Sequence, residues 1–353
     1  MDIGIPKELK TLEGRVALIP EACGELVHQG HTVRVETMAG ELSGYSDQDY
    51  LAVGAHISPT ADALYADSKL IVKVKEPVKA EYHRLQPHHL LFCYLHLAAL
   101  PELTQTLQNI GLTAIGFETV EVDGQLPLLA SMSSVAGRLS VQIGTTLLHS
   151  PQQGKGILLG GLGSVDRGNV VILGAGVAGS QAAVVAAQLG ANVTIFDKKL
   201  DKLTEMHNLG PNVTALYPYQ EALHNAVVNA DLLIGAVLIP GAKAPKLVTE
   251  AWVKEMQPGS VIMDIAIDQG GCIETMSPTT YQEPTYQCHE VTHFAVTNMP
   301  GGVPKTSSQA LCAAITPYVL QLAAGNLTSS PALTSGINVD RGNIVHPALI
   351  RNS

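Results

Sequence analysis

The sequence predicts an α/β fold of two Rossmann-like domains, with mostly parallel sheets and a cleft between them. Three features carry that prediction. Short apolar runs alternate with helix-period segments along most of the chain. A glycine motif, Gly174 to Gly179, stands between a β-branched run and a helix pattern. The 353 residues, at ~150 per domain, provide for two domains that each bury a core.

Taken in order, Ile3 to Ile5 opens as a strand, and Pro20 to His28 reads as a helix with Pro at its start and Gly30 just past its end. His31 to Thr37 alternates like a strand. Leu70 to Lys75 is the next strand, stopped by Pro77, and Leu90 to Leu97 follows. Glu102 to Ile110 is helical and Thr113 to Val122 extended. From Ser131 the composition shifts to small and apolar residues, with Ser133 or Ser134 placed to cap a helix from Val135 to His149. The glycine-rich connector Gly154 to Gly168 lacks the Gly-Lys-Ser/Thr ending of a phosphate loop and reads as a boundary. A second α/β unit runs from Val170 to about Pro304. A helix pattern, Ser307 to Ala324, precedes a short tail rich in Ser, Thr, Gly and Pro that reads as irregular.

Composition narrows the function. Thirty-one acidic residues against 21 basic ones give a net charge of −10, the wrong sign for a protein that tracks nucleic-acid phosphates. Charged residues make up only 15% and mean hydropathy is +0.19, which raises the question of a membrane span. Residues Asn169 to Phe196 and Thr306 to Val339 carry no charge, and each window exceeds the ~20 residues a span needs. The first reads better as strand, turn and helix; the second is broken by Pro317, Pro331 and a cluster of Ser and Thr. No membrane association is expected. The N-terminus lacks the basic start and apolar stretch of a signal peptide. Five cysteines without a Cys-x-x-Cys fit free thiols in a reducing cytoplasm. Cys288, His289 and His293 lack a second cysteine pair and read as a solvated loop, so no metal is expected.

The strongest local signal is a dinucleotide site. Val170 to Leu173 is a continuous β-branched and apolar run, as in a strand buried on both faces. It leads into Gly174-Ala175-Gly176-Val177-Ala178-Gly179 and a helix, Ser180 to Leu189. The next strand, Ala191 to Phe196, ends at Asp197, 18 positions after the last motif glycine. Gly174 permits the tight turn, Gly176 lets the backbone approach a pyrophosphate, and Gly179 lets helix and strand pack closely. The helix N-terminus offers N–H donors to phosphate. Asp197 would accept the ribose hydroxyls of NAD and repel the 2′-phosphate of NADP, although Lys198 and Lys199 temper that repulsion. Asp268 follows the strand Val261 to Ala266, and Asn298 the strand Phe294 to Thr297. Both stand where an open α/β sheet faces its ligand crevice; an Asp in a Gly-rich turn can equally be a turn former.

Three further residues are unusual for a soluble surface. Lys73 and Lys75 alternate with Val72 and Val74 and so share one strand face, where a lysine is costly without an anionic partner. His96 lies at the end of Leu90 to Leu97, on the face of Phe92 and Tyr94; it could be a satisfied core histidine or a site residue. Arg15 alone would read as surface.

Together these segments resemble the alanine dehydrogenase family. The resemblance rests on Met1 to Glu8 with Arg15 to Leu18, Val72-Lys73-Val74-Lys75-Glu76-Pro77 and Tyr94-Leu95-His96-Leu97-Ala98. It rests also on Asp264-Ile265-Ala266-Ile267-Asp268-Gln269-Gly270-Gly271 and Asn298 to Ser307. It covers the chain almost end to end, and the same superfamily includes the NAD-binding part of proton-translocating transhydrogenase. It implies a discontinuous substrate domain, residues 1–130 and 305–353, around an NAD-binding domain, residues 131–304. The implied activity is reversible oxidative deamination of L-alanine to pyruvate and ammonia, with NAD as hydride acceptor, in a cytoplasmic homo-oligomer, usually a hexamer. Carried over residue by residue, Arg15 and Lys75 hold the substrate carboxylate or carbonyl oxygen, His96 and Asp268 are the acid–base groups, and Asn298 lies near the nicotinamide. Ser133, Ser134, Val237, Leu238 and Ile267 join Gly174, Gly176, Val177, Ala178, Gly179 and Asp197 around the cofactor. Val177 and Phe294 depart from the family pattern. A non-catalytic NAD(H)-binding module, and a dehydrogenase of another amino acid, are the competing readings.

Overall fold

The computed structural model describes residues 1–237, 244–267 and 270–350; Leu238 and Asp268, both assigned to the site above, lie outside them. The chain divides into two compact units, one of Met1–Met132 with Val303–Ser353 and one of Ser133–Gly302.

The first unit opens with six strands: β1 (Asp2–Ile5), β2 (Thr32–Glu36), β3 (His56–Ser58), β4 (Leu70–Val72), β5 (Leu90–Cys93) and β6 (Thr113–Gly116). They run parallel in the order β3-β2-β1-β4-β5-β6. The order reverses between β1 and β4, and in an open α/β sheet the ligand crevice lies outside the carboxyl ends at that switch point. Leu91, Cys93, Leu103, Leu107 and Ala114 belong to one buried cluster on this sheet. The helix Pro101–Ile110 supplies its leucines at i and i+4 and stops at Gly111, which adopts φ 82°.

The second unit repeats the plan. Its strands are β7 (Asn169–Leu173), β8 (Asn192–Phe196), β9 (Val213–Leu216), β10 (Leu232–Gly235), β11 (Val261–Asp264), β12 (Thr285–Cys288) and β13 (Val291–Phe294). Their order is β9-β8-β7-β10-β11-β13-β12, parallel except for β12. The run in β7 is apolar throughout because both of its faces are covered. Val170 and Ile172 enter one core, Val171 and Leu173 another.

The chain then returns to the first unit through a helix, Pro304–Ala323, which accommodates Pro317 in its interior. The tail is not irregular. It forms β14 (Ile337–Asp340) and β15 (Asn343–Ile344), and β14 pairs antiparallel with β6 across a register shift between Ile337 and Val339. Four residues reading Ile-Asn-Val-Asp are too few to show a period; only the exposed edge of β6 makes them a strand. Other boundaries shift as well. The helix expected from Val135 spans Pro127–Leu147, so Ser133 and Ser134 lie inside it and cap nothing. β4 and β5 end at Val72 and Cys93, short of Lys75 and Leu97, and the strand before Asn298 is Val291–Phe294. Among the described residues no helix is long and apolar enough to cross a membrane.

Candidate active site

In the first unit the charged residues singled out from the sequence gather past the carboxyl ends of β1, β4 and β5, at the switch point. Because β4 stops at Val72, Lys73 and Lys75 are not on one strand face, and they part company. Lys73 is 1% exposed and pairs with Glu81 at 2.8 Å and Glu8 at 3.4 Å. Burial opposes its charge, but Glu8, Tyr65 and Glu81 outweigh that and hold the ammonium above its ordinary range. Glu8 also accepts the Val74 N–H at 2.7 Å and the Lys75 N–H at 3.4 Å. This pair therefore fixes the chain that presents Lys75. Lys75 itself is half-buried, and its ammonium is pulled below the usual lysine range by burial and then by Arg15 nearby.

Arg15 is 3% exposed. Its Nε donates to Glu13 Oε1 at 2.7 Å, its Nη2 donates to Glu13 Oε2, and its Nη1 meets Met132 Sδ at 3.3 Å. One edge of the guanidinium is thus engaged by Glu13. Burial works against the Arg15 cation, and the Glu13 carboxylate more than restores it. Tyr94 links this patch to His96. Its hydroxyl donates to the Leu128 carbonyl at 2.9 Å, and its ring lies parallel to the imidazole with centroids 5.8 Å apart. His96 is half-buried and sits at φ 50°, ψ 33°, a left-handed conformation that costs a non-glycine residue about 1 kcal/mol. Glu8, Glu13 and Glu118 had no role in the sequence reading. The missed signal is their place in loops that follow β1 and β6 at carboxyl ends.

The second unit builds its site at the β7/β10 switch point. Gly174 has φ 95°, and a Cβ there would come 2.8 Å from the Ala236 carbonyl; one on Gly179 would come 1.8 Å from the Gly174 carbonyl. At Gly176 a Cβ would meet nothing within 4 Å. The helix Val177–Gln188 starts there with no side chain capping its N–H groups. Asp197 Oδ2 accepts the Ala175 N–H at 2.7 Å and Oδ1 accepts the Lys199 N–H at 2.9 Å. The acid at the end of β8 is thereby tied to the glycine turn. An open glycine, an uncapped helix start and a carboxylate beside them fit the pyrophosphate and ribose of a dinucleotide. Val177 is exposed and Ala178 half-buried on the first turn; Val237 packs beside Gly174. Ile267 is buried, and Ser134 and Asn298 are half-buried in this same unit.

A further acid was not singled out. Asp264, fully buried at the end of β11, accepts the Ala266 N–H at 3.0 Å and the Cys272 N–H at 2.9 Å. It binds the chain on both sides of Asp268. Burial pushes its carboxyl up to about 6, against those N–H bonds and Lys246. His293 is buried against Thr275 at 2.8 Å and the Val291 carbonyl at 2.9 Å, while His289 pairs with Glu250 at 2.9 Å. Among the described residues no cluster of three or more His, Cys, Asp or Glu could hold a metal ion.

Comparison with known proteins places this arrangement. Residues 4–136 match the model of the alanine dehydrogenase/PNT N-terminal domain, and residues 140–347 that of the C-terminal domain. The alanine dehydrogenase of Bacillus subtilis is 48% identical over 100% of this chain and 94% of its own. A solved L-alanine dehydrogenase superposes with a TM-score of 0.97 at 49% identity, covering 100% of this chain and 99% of the other. A transhydrogenase structure from Sinorhizobium meliloti gives 0.87 at 25% identity, covering 99% and 100%.

Proposed function

The chain belongs to the alanine dehydrogenase/PNT family, and from that membership we propose that it is an NAD-dependent L-alanine dehydrogenase that interconverts L-alanine with pyruvate and ammonia. The observation that supports the substrate most directly is the gathering of Arg15, Lys75, Tyr94 and His96 past neighbouring strand ends of one sheet. A 2-amino acid has a carboxylate to be held, a Cα to be oriented and a nitrogen to be exchanged for oxygen. Arg15 holds the carboxylate and thereby fixes Cα. The chemistry that NAD supplies when bound is acceptance of the hydride from that Cα. His96 and Asp268 take and return protons as water adds to the resulting iminium; an imidazole suits this because its ordinary titration lies near neutrality. Lys75 stabilises negative charge developing on the substrate oxygen.

The cofactor is held at Gly174, Gly176, Val177, Ala178 and Gly179, with Asp197 on the ribose. Ser134, Val237, Leu238, Ile267, Asp268 and Asn298 form the rest of its surroundings. The family relation supports a nicotinamide cofactor, and Asp197 favours NAD over NADP. The protein acts in the cytoplasm as a homo-oligomer, a hexamer by family resemblance, without nucleic-acid or membrane partners. The deciding experiment follows NADH absorbance with L-alanine, L-serine, L-lysine and no amino acid. Turnover with alanine supports the proposal. Turnover only with another amino acid changes the substrate. NADH binding without amino-acid-dependent turnover would make the chain a binding module of the transhydrogenase kind.

A further inference from the structure

We propose that Glu118 is the positioning residue for His96, holding the backbone at Leu95 and His96 in the conformation that sets the imidazole for proton transfer. The proposal rests on the reading of His96 as an acid–base group. Glu118 stands just beyond β6, the strand beside β5. Its Oε1 accepts the His96 N–H at 2.6 Å and the Leu95 N–H at 3.1 Å, and its Oε2 lies 3.1 Å from the same Leu95 nitrogen. Two successive amides converge on one carboxylate, and the second belongs to His96, which is left-handed with φ 50°. Successive N–H groups around a residue of that hand form a concave anion site; here the protein supplies the anion itself.

The chain would otherwise relax. A non-glycine residue leaves the left-handed region unless its surroundings hold it there. Such relaxation would swing the imidazole away from the face it shares with Tyr94. The Tyr94 ring braces the imidazole and Glu118 braces the backbone beneath it. Room for the carboxylate depends on Gly116, where a Cβ would lie 3.3 Å from Glu118 Oε2 and 2.8 Å from Thr119 Oγ1. The titratable groups that feel Glu118 are Cys93 and Tyr94 from the end of β5 and His346 from the C-terminal segment. None of these donates either of the two backbone bonds.

The test is a mutant cycle on the full-length enzyme, with Glu118→Ala, Glu118→Gln, Glu118→Asp, His96→Ala and His96→Ala/Glu118→Ala. Misplacing a reacting group by about 1 Å can cost ~100-fold, so Glu118→Ala should lower kcat by about tenfold or more. Its affinity for NADH should stay within about twofold, because the nucleotide residues lie in the other unit. Glu118→Gln keeps one acceptor oxygen and should recover most of kcat. On the residual turnover of His96→Ala, the second substitution should have no further effect. Equal losses in both backgrounds, or near-normal kcat in Glu118→Ala, would overturn the proposal. Should Glu118→Ala fail to fold, Glu118→Asp, which shortens the reach by one methylene, carries the same comparison with and without His96. Near-normal turnover of His96→Ala itself would remove His96 from the mechanism and this proposal with it, an outcome distinct from a failure at Glu118 alone.

Discussion

Arg15 and Glu13, two residues apart, form a buried ion pair in which Arg15 Nε donates to Glu13 Oε1 at 2.7 Å, with the two side chains only 2% and 0% exposed. The pair fixes the orientation of the guanidinium. Removing one member of a buried pair typically costs 3–5 kcal/mol, because the other charge is left uncompensated. Glu13→Ala should therefore lower the unfolding free energy by about 3 kcal/mol in denaturant titration and raise KM for L-alanine more than it lowers kcat. Unchanged KM would separate Arg15 from the substrate.

His96→Ala and Lys75→Ala should each lower kcat by about 100-fold or more, the scale of losing a general acid–base group or a charge stabiliser. Steady-state rates in both directions measure this. Near-normal turnover in either variant removes that residue from the chemistry.

Glycines of one motif should fail in different ways. Gly179→Ala places a Cβ 1.8 Å from a backbone oxygen, whereas Gly176→Ala meets nothing. The first should unfold or melt well below the wild type. The second should melt normally yet bind NADH at least about tenfold more weakly, because its hydrogen, not its fold, admits the pyrophosphate. Thermal melting and NADH fluorescence titration distinguish them; normal NADH affinity in Gly176→Ala would contradict the site.

Asp197, proposed above to hold the ribose, ties down Ala175 and Lys199. Asp197→Ala should raise KM for NAD and narrow its advantage over NADP. Asp197→Ser, which keeps an acceptor for the backbone but no charge, should shift selectivity with a smaller loss of affinity. An unchanged NAD/NADP ratio in both variants would refute the ribose assignment.

Asp264 gives a pH signature. Its carboxyl titrates at about 6 in the fold, from an ordinary value of 3.8. Between those values the folded chain holds a proton that the unfolded chain has lost, so stability falls as pH rises through that window and levels off above it. The total is on the order of 3 kcal/mol at about 1.4 kcal/mol per unit. Denaturant titrations from pH 4.5 to 7.5 should show this slope in the wild type, and Asp264→Asn should lack it. A slope identical in the two proteins would show that Asp264 does not carry it.

What was legible in the sequence was whatever the chain writes locally. The strand, glycine turn, helix and acid of 170–197 are contiguous, and Gly174 and Gly179 answer to backbone constraints that a side chain would violate. Lys75 was likewise conspicuous, because charge on an apolar segment is costly, whereas Arg15 read as surface by itself and entered only through the family resemblance. Tertiary structure decided the rest. Only the buried carboxylates of Glu8 and Glu81 make Lys73 a structural cation, while Lys75, two residues on, stays half-exposed beside Arg15. Only the edge of β6 turns Ile337–Asp340 into a strand. Glu13, Glu118 and Asp264 act through backbone amides or a guanidinium whose positions depend on how loops close past strand ends, and hydrogen bonds of that kind leave no periodic trace in a sequence.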